Sequence, residues 1–340
     1  MRGLEIQGDK QVRVRDYPDP APGSGEVLVR MKASTICGSD IHVYNWPQER
    51  CERLRDRVPG HEPSGVVEQV GHGVTTVKPG DRVTIYHYFS CGHCEQCRKG
   101  MMQWCRETKG CGLGVDGGHA DFILAPERNC LRLPDELSFV DGAFIACIAG
   151  TSFSALKKLQ PSGEDTLAVY GLGPVGLTGV MMGKAFGARV IGIGRRAIRL
   201  DLAEELGADE VIDIDTCEDV PKAVRELTDG GADLAYETAG AAAAHEWLVG
   251  SLRRGGEAVF VAGATEGKSI NPGAIVGAQL TLRGSFVMPI GMYEELTRFM
   301  IRHELDCEKM VTHRFSIEQG PEAYALMDEG ECGKVLFEWE

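Results

Sequence analysis

The sequence predicts an α/β protein with two domains, an irregular β-barrel and a doubly wound parallel sheet flanked by helices. A chain of 340 residues is too long for one hydrophobic core and suits two domains of roughly 150 residues each. Up to about residue 145 the chain is rich in glycine, proline and β-branched residues. From about residue 150 onward, apolar strands alternate with helix-forming stretches, which is the pattern of a parallel sheet with crossover helices.

The first region consists of short strand-like runs separated by turn signals. "EVLVRMKAS" (26–34), "SGVVEQVG" (64–71) and "GDRVTIY" (80–86) have the composition of strands, and "KPGD" (78–81) marks a turn between two of them. This alternation of short strands and turns predicts a domain of the barrel type.

The second region repeats a strand-and-helix unit. Strands are predicted at 165–171, 188–194, 209–215, 232–240 and 257–263, and helices at about 174–186, 199–208 and 219–229, with a further helix before the last strand. The last fifty residues carry an amphipathic helix, a second helical piece and a final strand, which we expect to return to the first domain. The predicted domains are therefore 1–149 with 288–340, and 150–287.

Composition and charge exclude several classes of partner. The chain is 43% hydrophobic and 25% charged, as in ordinary globular proteins, and no stretch approaches the roughly 18–20 apolar residues of a membrane span. A formal net charge of −14 argues against a nucleic-acid partner, because phosphate binding needs a basic surface. Without a recognisable secretory signal, the twelve cysteines favour metal binding over disulfides and predict a cytoplasmic protein.

Four of these cysteines lie on one short loop, "CGHCEQCRKGMMQWC". They are Cys91, Cys94, Cys97 and Cys105. The C-x2-C-x2-C-x7-C spacing favours a tetrahedral Zn²⁺ with a closed, structural ligand shell. An iron–sulfur cluster and unrelated free cysteines are the alternatives, and the absence of a proline after the fourth cysteine fits zinc better. His93, inside the loop, is expected to face solvent.

A second possible metal site combines residues that are far apart in sequence. Cys37 lies in "ICGSDIH", His61 and Glu62 lie in "PGHEPSG", and Cys147 lies in "FIACIAG". Each alone is weak evidence, since a cysteine is most often a small apolar core residue. Together, Cys37, His61 and Cys147 supply the three ligands of a catalytic zinc that keeps one coordination position open.

The stretch "YGLGPVG" contains a G-x-G-x-x-G motif. The predicted cofactor-binding residues are Gly171, Gly173, Pro174, Val175 and Gly176. The motif follows the apolar strand "TLAVY" and opens a helix, which is the context of a dinucleotide-binding loop. Its glycines allow a tight turn and let the backbone approach a pyrophosphate at the helix N-terminus.

The end of the second strand, "GIGRR", indicates which dinucleotide is bound. An acidic residue that holds the ribose 2′-hydroxyl of NAD is expected about 20 residues after the loop, but Gly194 stands there and leaves room. Arg195, Arg196 and Arg199 follow, and a 2′-phosphate would compensate their charge at a helix N-terminus. The alternative is a solvated basic face, paired with Asp201 or Glu204. We therefore predict NADP(H) as the preferred cofactor, with NAD(H) possible.

Taken together, these motifs resemble those of the zinc-dependent medium-chain alcohol dehydrogenases. The matching stretches are "CGSDIH", "GHE" before a glycine-rich strand, the four-cysteine loop, "GLGPVG" and a C-terminal "GKV". The resemblance covers essentially the whole chain and implies a GroES-like catalytic domain beside a Rossmann dinucleotide-binding domain. It implies that Cys37, His61 and Cys147 bind the catalytic zinc, and that Glu62 is an outer neighbour able to ligate it transiently.

The resemblance also implies a route for the proton. Zinc lowers the pKa of a substrate alcohol, and the proton released on oxidation has to reach solvent. Ser39 and His42, two and five residues after Cys37, match the hydroxyl and imidazole of the family's relay. A turn serine and a surface histidine are the structural alternatives.

Local stretches narrow the substrate class. "CGSDIHVYNW" (37–46) and the segment 311–339 look similar to L-threonine 3-dehydrogenases and polyol dehydrogenases. That threonine subfamily is typically NAD-linked and usually has a carboxylate where Cys147 stands. His87 lies one residue from a histidine of that subfamily and is a possible cleft residue. Tyr44 and Trp46 could line the cleft or pack in the core.

The predicted function is hydride transfer between NADP(H) and a small polar alcohol, polyol or matching carbonyl compound. Two Zn²⁺ per chain, one catalytic and one structural, are the expected metals, and a homodimer or homotetramer is the expected assembly. One alternative is NAD-linked oxidation of a threonine-like amino alcohol. Two further alternatives are a non-catalytic zinc- and NADPH-binding relative and a zinc-free enone or quinone reductase.

Overall fold

The computed structural model describes residues 1–263 and 270–340, which form two compact units. The first unit comprises Met1–Cys147, Pro289–Ile301 and Asp306–Glu340, and the second comprises Ile148–Met288 and Arg302–Leu305. The functional assignment of 1–149 with 288–340, and of 150–287, stays a prediction. Residues 264–269, inside the second predicted range, lie outside the described residues.

The first unit is built around a seven-stranded, mostly antiparallel sheet. Its strands are β3 (Glu26–Thr35), β4 (Pro63–Val70), β5 (Arg82–Ile85), β8 (Phe122–Pro126), β9 (Cys130–Arg132), β16 (Val311–Phe315) and β17 (Lys334–Glu338). The strand order is β16-β17-β3-β4-β5-β9, with β8 also paired to β3. The long strand β3 is central because it pairs antiparallel with β17, β4 and β8. Its side chains at Val27, Val29 and Met31 are buried in one core cluster with residues of β4 and β5.

Shorter elements complete the first unit. Two small ribbons pair β1 (Arg2–Gly8) with β2 (Gln11–Asp16), and β6 (Tyr88–Phe89) with β7 (Lys109–Gly110). The helices are α1 (Gly38–Tyr44), α2 (Gln48–Cys51), α3 (Glu95–Arg98), α4 (Phe139–Ala146), α11 (Tyr293–Arg302, ending across the unit boundary) and α12 (Gly320–Glu329). A capping box begins α4, where the Ser138 hydroxyl accepts the Asp141 N–H at 3.0 Å and the Asp141 carboxylate accepts the Ser138 N–H at 2.8 Å.

The second unit is a doubly wound sheet of six parallel strands. These are β10 (Thr166–Tyr170), β11 (Arg189–Gly194), β12 (Glu210–Asp213), β13 (Ala232–Glu237), β14 (Leu252–Phe260) and β15 (Thr281–Gly284). The helices are α5 (Ile148–Leu159), α6 (Pro174–Ala185), α7 (Ala197–Glu205), α8 (Val220–Leu227), α9 (Ala242–Ser251) and α10 (Pro272–Ala278). The strand order β12-β11-β10-β13-β14-β15 reverses direction between β10 and β13. Ligands of such sheets bind at the carboxyl ends of the strands at this reversal.

The predicted fold class is confirmed, and burial explains why it could be read from the sequence. Four of the five residues of β10, from Leu167 to Tyr170, are buried, as expected of a central strand covered on both faces. No single helix among residues 1–263 and 270–340 is long and apolar enough to cross a membrane. By length and composition alone, only the bent pair formed by α4 and α5 could do so.

Candidate functional site

Four possible metal ligands from three distant parts of the chain meet in the first unit. Cys37 precedes α1 directly after β3, His61 and Glu62 precede β4, and Cys147 follows α4. One donor atom from each of these four residues lies within 4.8 Å of the donor atoms of the others. The structure therefore brings together the predicted catalytic set and its predicted outer neighbour.

Asp40, which the sequence analysis did not single out, orients two members of this set. Its Oδ1 lies 3.1 Å from Nδ1 of His61, and its Oδ2 accepts the backbone N–H of Cys37 at 2.9 Å. Because Nδ1 of His61 is engaged in this way, Nε2 is the nitrogen available to a metal. The hydroxyl of Ser39 lies 3.4 Å from that Nε2. Ser39 is thus beside the ligand set, and its role in a proton relay stays a prediction.

Glu62 is fully buried, and only one of its two carboxylate oxygens has hydrogen-bond partners within the described part of the chain. Its Oε2 accepts hydrogen bonds from the Thr35 hydroxyl and, at 2.7 Å, from Nζ of Lys334. Its Oε1 has no hydrogen-bond partner among the described residues. Burial raises the pKa of Glu62 to about 7 despite the opposing effect of Lys334. A buried carboxylate oxygen without a hydrogen bond is the kind of group that a cation bound nearby would stabilise.

The donor chemistry of the cluster fits zinc. A hydrogen bond with Cys147 and the nearby imidazole of His61 lower the pKa of the Cys37 thiol well below its usual range, although burial opposes this. Zinc binds thiolates and imidazoles, and three protein ligands with a fourth position open are typical of catalytic sites. The cluster can therefore hold a zinc ion through Cys37, His61 and Cys147.

The four-cysteine loop also has the geometry of a metal site. The Sγ–Sγ distances are 3.9 Å for Cys91–Cys97, 3.5 Å for Cys94–Cys97 and 3.6 Å for Cys105–Cys91. Four sulfurs at 2.3 Å from a tetrahedral zinc would be about 3.8 Å apart, and all twelve cysteines of the chain are free thiols. The loop therefore fits a closed zinc site and not a disulfide framework. His93 is exposed, as expected.

The other histidines and aromatic residues near the first site have different surroundings. His42 lies on α1 and is exposed, so its side chain can exchange protons with water. His87 is buried, with Nδ1 bonded to the carbonyl of Ala146 and its ring centroid 5.5 Å from that of His61. Burial lowers the pKa of His87 to about 3, so it is neutral at physiological pH. Tyr44 is a core residue, and the partly buried Trp46 packs against the same core.

The glycine motif of the second unit forms the loop that the sequence predicts. Gly171 has φ +95°, and a Cβ there would lie 2.8 Å from the backbone nitrogen of Ala239. Gly173 precedes the first residue of α6, and a Cβ on Gly176 would collide with the carbonyl oxygen of Gly171. The Thr238 hydroxyl donates to backbone carbonyls of Tyr170 and Gly171. Pro174 and Val175 form the first turn of α6, so the loop opens directly onto a helix N-terminus.

The end of β11 lies next to this loop. The Gly171 N–H donates to the Ile193 carbonyl at 2.8 Å, which places Gly194 beside the start of the glycine loop. A Cβ on Gly194 would lie 2.8–3.0 Å from side-chain atoms of Leu172. A side chain at position 194 would therefore be crowded by Leu172 unless that leucine moved, so packing also favours a glycine here. The expectation that Gly194 leaves room for the cofactor stays a prediction.

The arginines after β11 lie at the start of α7. Arg195 and Arg196 are exposed and Arg199 is half-buried, and the first turn of α7 has no acidic residue. Arg196 has φ +77°, a backbone conformation that is uncommon for a residue with a side chain. A helix N-terminus with three guanidinium groups nearby can bind an anion.

Two family models match the chain: the alcohol dehydrogenase GroES-like domain over residues 23–135, and the zinc-binding dehydrogenase over residues 174–302. The zinc-type alcohol dehydrogenase-like protein YphC of Escherichia coli K12 is 37% identical over 346 residues, spanning 99% of this chain and 98% of YphC. The chain belongs to the zinc-dependent medium-chain alcohol dehydrogenase family. The resemblance inferred from the motifs is thereby confirmed, and the protein is an oxidoreductase of the zinc alcohol dehydrogenase type.

Further relatives of this dehydrogenase show how diverse the family is. An L-threonine 3-dehydrogenase of Rhizobium etli CIAT 652 is 33% identical, covering 96% of this chain and 94% of that enzyme. The structure of the alcohol dehydrogenase rspB of Escherichia coli CFT073 with NADH has a TM-score of 0.89 at 27% identity, covering 100% and 99% of the two chains. A zinc-binding dehydrogenase of Sinorhizobium meliloti bound to NADP has a TM-score of 0.88 at 27% identity, covering 99% of each.

A diol-oxidising relative has the same fold. The 2R,3R-butanediol dehydrogenase of Bacillus subtilis has a TM-score of 0.88 at 28% identity, covering 100% of this dehydrogenase and 99% of that chain. The rspB structure contains NADH and the Sinorhizobium structure contains NADP, while the relatives' names specify different substrates. The fold alone therefore determines neither the cofactor nor the substrate.

Proposed function

We propose that this dehydrogenase transfers a hydride between NADP(H), preferred over NAD(H), and a small polar alcohol or polyol or the matching aldehyde or ketone. The observation that carries the proposal is the cluster of Cys37, His61 and Cys147, whose donor atoms lie within 4.8 Å of one another. The position of Ser39 beside Nε2 of His61 adds a hydroxyl where a substrate proton would leave.

In this proposal each chain binds two zinc ions. Cys37, His61 and Cys147 hold the catalytic ion, with Glu62 as the outer carboxylate, and Cys91, Cys94, Cys97 and Cys105 hold the structural ion. Zinc at the first site would favour loss of the hydroxyl proton from an alcohol and would polarise a carbonyl in the reverse direction.

The protein's own side chains would handle the proton. Ser39 and His42 are three residues apart on α1, so they lie on the same side of that helix. Ser39 is beside the ligand set and His42 is exposed, which fits a path from the substrate hydroxyl outward to water. We infer that Ser39 accepts the substrate proton while it passes its own hydroxyl proton outward, and that His42 takes up the outgoing proton and releases it to water.

The cofactor preference rests on the residues after β11. Residue 194 is a glycine, so β11 ends without a carboxylate that could hold a ribose hydroxyl or repel a phosphate. Arg195, Arg196 and Arg199 supply guanidinium groups at the N-terminus of α7, whose first turn has no acid. Guanidinium groups bind phosphate oxygens in bidentate geometry, and this favours a 2′-phosphate over a 2′-hydroxyl.

The substrate class is a polar alcohol because relatives of this chain act on such compounds. The names of the butanediol dehydrogenase and the L-threonine 3-dehydrogenases specify hydroxyl groups flanked by a second polar group. An NAD-linked threonine-type oxidation is the second candidate, favoured by the 33% identity to the Rhizobium enzyme. The cysteine at position 147 and the arginines after Gly194 favour the first candidate.

The decisive experiment is a spectrophotometric panel with the zinc-loaded protein, testing diols, sugar alcohols, L-threonine and the matching carbonyl compounds with each cofactor. We expect a higher kcat/KM with NADP(H) than with NAD(H), and Arg195→Ala and Arg196→Ala variants should each lose roughly 10- to 100-fold of the NADP(H) value. Arg254→Ala, an exposed arginine of β14, is the control. A preference for NAD(H) would overturn the cofactor assignment, and no activity with any alcohol would favour a non-catalytic relative.

The proposed setting is the cytoplasm, with a homodimer or homotetramer as the working unit and neither nucleic acid nor a membrane as partner. Twelve free thiols favour a reducing compartment. Size-exclusion chromatography with light scattering measures the assembly directly.

A further inference from the structure

We infer that His119 is a positioning residue, which ties together the two chain segments that carry Cys37 and His61. The inference rests on the proposed catalytic metal site, because the expected effect of His119 is on the rate at which that site releases its zinc. His119 belongs to the stretch between β7 and β8, has no solvent exposure, and was not singled out by the sequence analysis.

Both ring nitrogens of His119 make hydrogen bonds. Nε2 lies 3.2 Å from the carbonyl oxygen of Thr35, and Nδ1 lies 3.0 Å from the hydroxyl of Tyr324. A carbonyl can only accept, so Nε2 carries the proton, and the Tyr324 hydroxyl therefore donates to Nδ1. Burial lowers the pKa of His119 to about 4, which keeps the ring in this neutral form at physiological pH.

The first bond holds the segment that leads to Cys37. Thr35 ends β3, two residues before Cys37, and its carbonyl is the group that His119 binds. The hydroxyl of the same threonine bonds to Glu62. Fixing Thr35 therefore constrains both the first metal ligand and the outer carboxylate.

The ring and backbone of His119 hold the segment that leads to His61. The His119 N–H donates to the Pro59 carbonyl at 3.0 Å, and the Gly118 N–H donates to the Gly60 carbonyl at 2.9 Å. Gly60 has φ +91°, and a Cβ there would collide with the His119 ring, so the ring packs directly on this backbone. His61 is the next residue, and its position follows that of Gly60.

Two elements from the C-terminal part of the chain hold the ring in turn. Tyr324 comes from α12, and Phe337 from β17 meets the His119 ring edge-on, with ring centroids 4.9 Å apart. An apolar residue of similar size could fill this space, but it could not bind Thr35 and Tyr324 at once. The imidazole thus supplies two directed bonds that a purely structural core residue would not need.

The test uses the zinc-loaded protein and a chelating dye that reports zinc release. The two release phases are assigned with Cys37→Ser, which removes the catalytic site, and Cys91→Ser, which removes the four-cysteine site. His119→Phe and Tyr324→Phe should release the catalytic-site zinc about tenfold faster than the wild type and leave the four-cysteine phase unchanged.

Tyr293→Phe is the matched control. Tyr293 is also a buried tyrosine of the first unit, and its hydroxyl donates to a backbone carbonyl, that of Arg132 at 2.6 Å. We expect this variant to lose a similar amount of thermal stability without faster release from the catalytic site. Equal release rates for Tyr324→Phe and Tyr293→Phe would overturn the inference, even if His119→Phe does not fold. A wild-type protein with no release phase that depends on Cys37 would overturn the metal site as well.

Discussion

Lys334 Nζ lies 2.7 Å from Glu62 Oε2, and the side chains of both residues are buried, with exposures of 1% and 0%. The same ammonium donates to the carbonyl of Ile36 at 2.7 Å, directly before Cys37. Through these two contacts, the Lys334 ammonium joins β17 to the segments that carry His61 and Cys37, two of the proposed zinc ligands.

Replacing Lys334 should therefore cost much more stability than replacing a surface lysine. Lys334→Met leaves the Glu62 carboxylate buried without its cation, which costs about 3–5 kcal/mol. Lys184→Met, which breaks the partly exposed pair with Asp209, is the control and should cost less than about 1 kcal/mol. Urea unfolding measures both, and a Lys334→Met/Glu62→Gln double variant should recover part of the loss. Equal costs for the two lysines would contradict this prediction.

Gly194→Ala should destabilise the second unit because the new methyl group meets Leu172. Overpacking of this kind costs about 1–3 kcal/mol, and Gly194→Ala/Leu172→Ala should be less destabilised than the sum of the single variants predicts. Gly277→Ala, where a Cβ has no neighbour within 4 Å among the described residues, is the control. The measurement is a double-mutant cycle by thermal unfolding, and strict additivity would show that the two positions do not compete for space.

Replacing one cysteine of the four-cysteine loop should remove one metal ion without changing the other metal site. Cys91→Ser is expected to leave about one zinc per chain by elemental analysis and to lower the melting temperature, since structural zinc contributes directly to folding. Cys217→Ser changes a free cysteine outside both clusters and should leave the metal content unchanged. An unchanged zinc content in Cys91→Ser would exclude the loop as a zinc site.

Glu127 should make stability depend on pH. Hydrogen bonds from the backbone N–H groups of Thr75 and Thr76, at 2.6 and 2.5 Å, hold the pKa of its carboxyl below the usual value. A depressed pKa means that the stabilisation is present above the unfolded-state value and disappears as the pH falls through the folded-state value. Glu127→Gln should thus lower the free energy of unfolding by about 1 kcal/mol at neutral pH, and this loss should approach zero in acid. A cost independent of pH between 7 and 3 would contradict this.

His42→Ala should slow turnover most at low pH, where solvent offers little base to replace the imidazole. The measurement is the pH dependence of kcat with the best alcohol of the panel. His303→Ala, which replaces an exposed histidine of the second unit, is the control. A pH–rate profile identical to that of the wild type would remove His42 from the proton path.

Local patterns made much of this molecule predictable from its sequence. The glycine loop and the four-cysteine loop each lie within a few consecutive residues, and the alternation of strands and helices predicted the parallel sheet. Asp40, Lys334 and His119 were not predicted, because each has a partner that only the fold brings near: Asp40 and His61 are separated by 21 residues, His119 and Tyr324 by 205, and Lys334 and Ile36 by 298. The crowding of position 194 by Leu172 was also not predicted, because only the fold brings these two residues together.

The position of β17 within the sheet has a consequence for biosynthesis. This strand lies between β16 and β3 and supplies Lys334, so the surroundings of Cys37 and Glu62 are incomplete until residues 334–338 have been synthesised. The four-cysteine loop, in contrast, is closed entirely within residues 91–105. We therefore expect a nascent chain to complete the proposed four-cysteine zinc site well before the proposed catalytic zinc site.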